Sequence, residues 1–546
     1  MNFIEETLVA AIEEIIKKEF GIEKESGLVM LEIPNKTENG DYATNIAMRL
    51  TKRVGKAPRD VASVIVEGLS DHEMISSIVV AGPGFINFFI KPDVMAGVIP
   101  IIRNLDRNYG SSDFGEGRKI LLEYVSANPT GQLHVGHARG AAWGDSLLRI
   151  LNFAGYKADG EFYVNDLGNQ ITMLSHSLFA RYQQALGVDA KMPEDGYHAQ
   201  DIKDIALDVI EQEGDVWLDK DQSLWEPYFK ELGIKFELDR IKRDLVTFNV
   251  RIDNYVSEKS LYDEGRVEKS LNELKDRGFT YEADGALWLR TTDFKDDKDR
   301  VMIKSDGSYT YLVPDIGYHL YKLERGYDEL IDLLGGDHHG YIARMEAALE
   351  ALGYKDVFDV DIIQMVRLIE DGVEVVMSKR TGNAVGLIEL VDDIGVDATR
   401  YFFVSRALQT PLDFDMTLAR SKANDNPVFY AQYAHARICS ILRTVGSVDE
   451  VKNLDALVHP KEIELLKHLN EFPSVVADAA KSRQVHKVAN YIHNLSSLFH
   501  SFYGAVKVID TENADATAQR VLLLDATRIT LRNALDLIGV SAPEKM

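Results

Sequence analysis

Two histidines three positions apart, His134 and His137, end the segment SANPTGQLHVGH at residues 126–137. The proline and the glycine before them predict a compact turn, with both imidazoles near the first turn of the next helix. The backbone N–H groups and the dipole of a helix start favour an anion there. The two rings could donate hydrogen bonds to phosphates as charge moves onto a leaving pyrophosphate, and Gly136 would let a base approach the backbone closely.

Taken alone, this pair of histidines has simpler interpretations. Such residues are more often helix caps or polar core groups, and that alternative stays open at this point. A zinc site is disfavoured because the sequence has no HExxH pattern and no obvious third ligand at a diagnostic spacing. The single cysteine, Cys439, excludes intrachain disulfides and thiolate metal clusters.

A second chemical element is the segment VVMSKRTGN at residues 375–383, between an apolar strand and a Gly-containing turn. Met377, Ser378 and Lys379 form its centre. A lysine on a flexible loop can close on phosphate as a transition state forms. By itself, a solvated surface lysine is the more common explanation.

Two further groups combine aromatic rings with polar or cationic side chains. Tyr430, Tyr433 and Arg437 share one face of a predicted helix, which suits base stacking beside a cation. Phe85 and Asn87 would offer a ring and an amide close to a basic cluster in the amino-terminal region, formed by Lys52, Arg53, Lys56 and Arg59. A buried aromatic stripe and a solvated helix end are the alternatives.

Chain length and charge limit what can position these residues. A chain of 546 residues predicts about three or four domains. The formal net charge of −26 argues against a nucleic-acid partner, although local basic patches can still steer a polyanion. We expect a cytoplasmic protein without membrane contact, because no long apolar run or signal sequence is present.

Hydrophobic patterning divides the chain into three parts. Residues 1–105 predict a small α+β domain, whose first helix stops at Gly21. Residues 106–424 predict an α/β domain with a Rossmann-like parallel sheet and a charged, helical insertion near 189–289. Its strand, turn and helix unit starts with KILLEYVSAN, and the runs YLVPDIGYHLYKL, ELIDLLGG and VDIIQMVRL are expected among its further βα units. Residues 425–546 predict an all-helical domain.

The two chemical segments, in this order, resemble the HIGH and KMSKS signatures of class I aminoacyl-tRNA synthetases. Blocks along the whole chain are similar to the arginyl-tRNA synthetase family: GDYATNIAMRL, EFYVNDLGNQI, NPVFYAQYAHARI and LLLDATRITLRNALDLIG. Val376 and Arg380 depart from the second signature, which leaves loop closure chiefly to Lys379. Because PTGQLHVGHAR also resembles glutamyl enzymes, a glutamyl type is the nearest rival, and a non-catalytic tRNA-binding paralogue is another. Cys439 cannot supply the thiolate site of a cysteinyl enzyme.

The resemblance implies a role for each matching position. The catalytic residues would be His134, His137 and Lys379. Arginine would contact Glu123, Ser126, Asn128, His134, Tyr311, Asp315 and, less directly, His339. ATP would contact Gly136, Gly336, Asp337, Met377, Ser378 and Lys379. The tRNA would contact Phe85, Asn87, Tyr430, Tyr433, Arg437, Tyr503 and Met546.

The same resemblance implies the reaction and its participants. L-arginine would react with ATP to give arginyl-adenylate, and arginine would then pass to the terminal adenosine of tRNA(Arg). Mg²⁺ would accompany ATP, without a tightly bound protein metal. The family pattern also implies a monomer with an anticodon-binding helical domain, and bound tRNA that is needed for efficient activation of the amino acid.

Overall fold

The amino-terminal part is a small antiparallel sheet covered by helices. The structure is a computed structural model that describes residues 3–25, 27–34, 36–336, 339–375, 385–446, 451 and 453–546. The elements of this part are α1 (Phe3–Phe20), β1 (Tyr42–Thr44), α2 (Ile46–Val54), α3 (Pro58–Leu69), β2 (Ile75–Ala81), β3 (Phe85–Ile90), α4 (Pro92–Ala96) and α5 (Val98–Leu105). The strand order is β1-β3-β2. As predicted, the first helix stops at Gly21, whose φ of 67° suits a left-handed helix end.

A five-stranded parallel sheet forms the centre of the molecule, as the sequence predicted. Its first half comprises β4 (Lys119–Glu123), α6 (Val135–Phe153), β5 (Lys157–Val164), α7 (Asn169–Ala185), α8 (Gln200–Glu213), α9 (Gln222–Thr247), β6 (Asn254–Ser257), α10 (Glu258–Asp263) and α11 (Arg266–Asp276). The chain continues with β7 (Thr280–Ala283), β8 (Ala286–Leu289) and β9 (Arg300–Ile303), which form a separate antiparallel sheet. The second half of the central sheet comprises α12 (Leu312–Glu324), β10 (Glu329–Gly335), α13 (His339–Ala351) and β11 (Phe358–Ile363).

The order of the parallel strands, β11-β10-β4-β5-β6, places a switch point at β4. From β4 the chain proceeds to β5 on one side, and it later returns to β10 on the other side. Ligands of such sheets bind outside the carboxyl ends of the strands, where the order reverses. Glu123 at the end of β4 therefore marks the expected binding crevice.

Helix α12 and strand β6 differ from what the sequence predicted for this region. The run YLVPDIGYHLYKL, expected among the strands, forms helix α12 instead. Apolar residues are dense in this run because the helix is buried on most of its surface, so the run is similar to the continuous apolar stretch of a buried strand. The interval 189–289, expected as a helical insertion, contains α8 and α9 but also strand β6, which pairs with β5 in the central sheet.

A small three-stranded sheet and a helical bundle complete the chain. The segment after the central sheet has β12 (Val366–Glu370), β13 (Val373–Glu374), α14 (Leu387–Ile394), α15 (Val396–Val404), β14 (Leu412–Asp415) and α16 (Met416–Arg420). The carboxy-terminal helices are α17 (Pro427–Val445), α18 (Pro460–Ser482), α19 (His486–Ala505) and α20 (Ala514–Leu537). Asn426 caps α17 and Pro427 starts it, as the sequence predicted.

The buried core runs through all three parts of the chain. One continuous apolar cluster extends from Ile4 through Trp143 to Val540, while a second cluster fills the other face of the central sheet. A third, separate cluster packs α7, α8 and α9 together. Among the described helices, none is long and apolar enough to cross a membrane.

Candidate active site

The turn after β4 aims polar groups into the crevice at the switch point. Val125 and Ser126 have φ values of 72° and 38°, a left-handed conformation that costs energy for residues with a side chain. The Ser126 hydroxyl donates to Glu123 Oε1 at 2.8 Å and accepts from the Tyr163 N–H at 3.0 Å. These bonds hold the strained turn against the ends of β4 and β5.

Helix α6 begins with the two predicted histidines, and each uses a ring nitrogen to satisfy a backbone N–H. His134 Nδ1 accepts from the Gly136 N–H at 3.1 Å, and His137 Nδ1 accepts from the His134 N–H at 3.3 Å. The ring centroids lie 3.8 Å apart. Because Nδ1 is an acceptor in both rings, the proton of each neutral imidazole sits on Nε2. Each ring therefore combines a capping role with a donor at its other nitrogen.

Gly136 is required by the packing of the first histidine. A Cβ at this position would lie 2.8 Å from His134 Cε1 and 3.0 Å from its Nδ1. Such a contact would displace the ring from its capping position. The structure thus supplies a reason for glycine that is independent of close approach by a base.

The start of α6 is tied to the residues that follow the second signature. The Val135 N–H donates to the Val385 carbonyl at 3.2 Å, and the Leu387 N–H donates to the Leu133 carbonyl at 2.8 Å. Residues 376–384 lie outside the described part of the chain, and with them the predicted Met377, Ser378 and Lys379.

Arg139 anchors α6 one turn further on. It is fully buried, and its guanidinium donates to the carbonyls of Gln364 and Ala407, each at 2.9 Å. Burial lowers the pKa of Arg139 to about 10, so the group stays cationic at neutral pH. The helix that presents the histidines is thereby fixed to the segments after β11 and α15.

An open cleft of about 970 Å³ lies in front of the two imidazoles. Asn128 lines it and donates to Gln170 Oε1 at 2.7 Å. The opposite wall comes from α8 and α9. The lining residues are Ala127, Asn128, Thr130, Gly131, Gln132, His134, His137, Gln170, Tyr197, Ala199, Gln200, Asp201 and Arg240.

Asp315 provides a carboxylate suited to a cationic ligand. Burial raises its pKa to about 6, and the nearby carboxylates of Glu123 and Glu258 act in the same direction. No described residue donates a hydrogen bond to this carboxylate, so a bound cation would relieve an unfavourable negative charge. Tyr311, predicted beside it, is instead 91% exposed at the start of α12.

Glu123 belongs to a buried network of ion pairs that the sequence analysis did not predict. Lys322 Nζ donates to Glu123 Oε2 at 2.5 Å and to Asp332 Oδ1 at 2.9 Å. His319 Nε2 lies 2.9 Å from Asp332 Oδ2. Although burial opposes the shift, Lys322 and His319 lower the pKa of Asp332 to about 2. The signal was the spacing of Asp315, His319 and Lys322, which places all three on one face of a helix.

The predicted nucleotide contacts at the end of β10 are partly within the described chain. Gly336 is exposed directly after β10, next to the switch point. Asp337 and the side chain of His339 lie outside the described residues. Among the residues that the structure does describe, no group of three or more His, Cys, Asp or Glu side chains could hold a metal ion.

Three protein-family models match successive parts of this chain. They are the arginyl tRNA synthetase N terminal domain at residues 2–90, the tRNA synthetases class I (R) catalytic domain at 100–403, and the DALR anticodon binding domain at 431–546. The chain is 52% identical to the arginine–tRNA ligase of Shouchella clausii, over 97% of both chains. The chain belongs to the arginyl-tRNA synthetase family.

Other arginyl-tRNA synthetases agree over the full length. The arginine–tRNA ligase of Listeria monocytogenes serotype 4a is 49% identical over 100% of both chains. The solved Thermus thermophilus arginyl-tRNA synthetase is 23% identical, and it covers 100% of both chains with a TM-score of 0.77, which shows a shared fold. The predicted α/β fold class with a helical carboxy-terminal part is therefore correct.

In this synthetase, Tyr430, Tyr433, Arg437 and Tyr503, all predicted for the anticodon surface, form one group with His500. The Arg437 guanidinium lies 5.4 Å from the ring centroid of Tyr433 and 4.4 Å from that of Tyr503. The Tyr430 ring lies 4.5 Å from His500. Met546 is 57% exposed and lines a separate cleft beside α17. Rings and a cation are thus available on one half-buried surface.

The amino-terminal residues of the same synthetase line a shallow cleft of about 430 Å³. Phe85 is half-buried and Asn87 is buried, two positions apart on the same face of β3. Of the nearby basic cluster, Arg53 is paired with Glu25, and Arg59 donates to the Gly82 carbonyl at 3.0 Å. The cleft therefore combines a ring and an amide, as expected for a contact with an unpaired base.

Proposed function

We propose that the cleft at the switch point activates L-arginine with ATP and transfers it to tRNA(Arg). The observation that carries this proposal is the pair His134 and His137 at the start of α6, in a chain similar to arginine–tRNA ligases over its full length. An arginine carboxylate oxygen attacks the α-phosphorus, and the bond to the bridging oxygen of pyrophosphate breaks. A ribose hydroxyl of the terminal adenosine then attacks the arginyl carbonyl, and AMP leaves.

Electrostatics near Asp315 favour arginine as the amino acid. A guanidinium presents paired, planar donors that match a carboxylate. Asp315 and Glu123 take its side chain in this proposal, together with Tyr311. Ser126, Asn128 and His134 take the carboxylate and amino groups of the ligand, and His339 belongs to the same pocket. The raised pKa of Asp315 supports the assignment, because a bound cation would stabilise its ionised form.

The start of α6 suits the phosphates of ATP. In the proposed site, the Nε2–H groups of His134 and His137 and the ammonium of Lys379 donate to phosphate oxygens as negative charge moves onto pyrophosphate. Gly136, Gly336, Asp337, Met377 and Ser378 contact the adenosine and the phosphates. Two hydrogen bonds support this, because they tie the residues that follow the second signature to the start of α6: the Val135 N–H donates to the Val385 carbonyl, and the Leu387 N–H donates to the Leu133 carbonyl.

The tRNA contacts two surfaces in this proposal. The anticodon stacks on Tyr430, Tyr433 and Tyr503, with Arg437 and Met546 beside it. An unpaired base elsewhere in the tRNA enters the cleft of Phe85 and Asn87. Ring-and-cation geometry around Arg437 supports the first surface.

We also propose which metal ion accompanies ATP, the oligomeric state and location of the enzyme, and its domain boundaries. Mg²⁺ enters with the triphosphate, whose oxygens are its preferred ligands, and no step depends on a protein cage. The enzyme acts as a monomer in the cytoplasm. Its domains are residues 1–105, 106–424 with the insertion near 189–289, and 425–546, a division supported by the spans of the three family models.

Pyrophosphate exchange tests the first step. The chain should exchange labelled pyrophosphate into ATP when arginine is present and not when glutamate replaces it. Exchange should rise strongly when cognate tRNA is added. Equal exchange with and without tRNA would contradict the tRNA dependence, and exchange with glutamate alone would contradict the function.

A further inference from the structure

Arg240 brings a cation from helix α9 to the cleft that contains the two imidazoles. It is the only lysine or arginine among the described residues that line this cleft. Its side chain is 17% exposed, so the guanidinium is largely withdrawn from solvent yet borders the open space. A guanidinium in such a place favours an anionic ligand with several acceptor oxygens.

Two carboxylates hold Arg240 in this position. Asp201, near the start of α8, pairs with one terminal nitrogen of the guanidinium, and Glu237 pairs with the other from one turn earlier on α9. Glu237 is fully buried. Burial raises the pKa of Glu237 to about 7, while Arg240 opposes this shift. A buried carboxylate beneath an arginine restricts the rotamers of that arginine, as expected for a positioning residue.

We propose that Arg240 is a phosphate-binding residue of the cleft, which contacts the β- and γ-phosphates of ATP and the released pyrophosphate. The buried Glu237 positions its guanidinium, and Asp201 pairs with the other terminal nitrogen in the absence of ligand. The inference deepens the proposed function, on which it rests. Asp201 competes with phosphate for the guanidinium, so ligand binding replaces one partner of Arg240 by another.

The composition of the cleft favours the phosphates of ATP over an arginine side chain or an adenine ring. The carboxylates proposed for the arginine side chain, Asp315 and Glu123, are not among the residues that line this cleft. The adenine ring is uncharged, so the guanidinium of Arg240 offers it no charge pairing. Phosphate instead would meet three donors around one space: the imidazoles of His134 and His137 and the guanidinium of Arg240.

Substitution of Arg240 is the direct test. Loss of a charge-assisted hydrogen bond should raise the KM for ATP in the exchange reaction, and the inhibition constant of pyrophosphate, by about 10- to 100-fold in Arg240→Gln. The KM for arginine should stay within about twofold. Arg240→Lys keeps the charge and should recover part of the loss. Arg243→Gln is the matched control, because Arg243 is exposed on the same helix and outside the cleft.

Asp201→Asn separates a phosphate contact from a structural role. Removing this carboxylate frees the guanidinium, so the variant should bind pyrophosphate more tightly than the wild type, opposite to Arg240→Gln. If both variants weaken ATP and pyrophosphate alike, the cluster only supports the fold and the proposal is overturned. It is equally overturned if Arg240→Gln raises the KM for tRNA and leaves that for ATP unchanged.

A binding measurement keeps this inference distinct from the proposed function. Calorimetric titration of the full chain with magnesium pyrophosphate needs no turnover. If the wild type fails to activate arginine but binds pyrophosphate through Arg240, the proposed function fails and the inference stands. If the wild type activates arginine while Arg240→Gln binds pyrophosphate as tightly as the wild type, the inference alone fails.

Discussion

At the scale of single residues, His134 has two roles that can be separated. Its Nδ1 caps helix α6 by accepting from the Gly136 N–H, while its Nε2 carries the proton proposed to reach phosphate. A cap contributes about 1 kcal/mol to stability, whereas a lost transition-state donor lowers the rate about 10²- to 10³-fold. Stability and activity should therefore respond differently to substitution.

His134→Ala should lose both the cap and the donor. His134→Asn keeps a side-chain oxygen that can cap the helix, so it should recover most of the lost stability. We expect both variants to exchange pyrophosphate about 10²- to 10³-fold more slowly than the wild type. Thermal unfolding and exchange rates measure the two effects, and full activity in His134→Asn would mean that capping is the only role of the side chain.

Asp315 should make arginine use depend on pH. Because arginine is cationic throughout, it binds the ionised carboxylate, so kcat/KM for arginine should fall as the pH drops below the Asp315 pKa of about 6. The decline approaches roughly tenfold per pH unit once the carboxyl is mostly protonated. In Asp315→Asn, kcat/KM should be low at every pH and this decline should vanish. An unchanged profile would argue against Asp315 as the guanidinium ligand.

Local motifs were more predictable than long-range contacts among these residues. The histidines at the start of α6 follow from a proline- and glycine-containing turn before a helical run, which is encoded within about a dozen residues of sequence. The bond from Lys322 to Glu123 joins positions 199 apart in the chain. No local pattern contains such a pairing, since it depends on how α12 packs against β4.

At the scale of elements, helix α6 acts as a rigid support for the candidate site. Arg139 fixes its first turns to the segments after β11 and α15, and the Asp145 carboxylate binds the buried Arg400 at 2.5 Å. Both interactions involve fully buried side chains. The imidazoles are thus held by the same helix that joins the central sheet to α15.

Gly136→Ala should separate helix stability from ring position. Alanine improves helix propensity by up to about 1 kcal/mol, but its Cβ would press on the His134 ring. A ring displaced by about 1 Å should lower the exchange rate about 10²-fold without loss of folding stability. Gly131→Ala is the control in the same turn, since its Cβ meets nothing within 4 Å. Equal rates in the two variants would contradict this account of Gly136.

Element types were predictable where one face of an element is solvated. The segment at residues 3–20 has a clear helical period and a glycine stop, which predicted a helix, and the structure has helix α1 there. Helix α12 is buried on most of its surface, so its apolar density resembled that of a parallel strand. A helix is told from a strand by the spacing of its polar residues. An element that is buried on most of its surface has few such residues, so its type is hard to predict.

At the scale of the whole molecule, Arg483 joins the carboxy-terminal helices to the central sheet. It follows α18, and its guanidinium binds Asp361 at 2.8 Å and also Asp359, both on β11. Tyr401 on α15 adds a bond between the catalytic part of the chain and these helices, since its hydroxyl donates to the Ala489 carbonyl on α19 at 3.0 Å. The candidate active site and the candidate anticodon surface therefore belong to parts of the molecule that are in direct contact.

Arg483→Met should weaken this contact. The carboxylates of Asp359, Asp361 and Glu329 would lose a half-buried cation, at a cost of roughly 2 kcal/mol in the free energy of unfolding. Methionine keeps the left-handed backbone position as strained as arginine does, so the change isolates the ion pairs. Arg367→Met, which removes an exposed pair with Asp413, should cost under about 1 kcal/mol. Urea unfolding compares the two, and equal costs would mean that Arg483 contributes no more than a surface pair.

The central claim is tested most directly by attachment of labelled arginine to cognate tRNA, with ATP, by the purified chain. We expect arginyl-tRNA to form with arginine and ATP, and no charged product when glutamate replaces arginine. Charging with glutamate while arginine is ignored would contradict the account, and so would tight tRNA binding without any aminoacylated product.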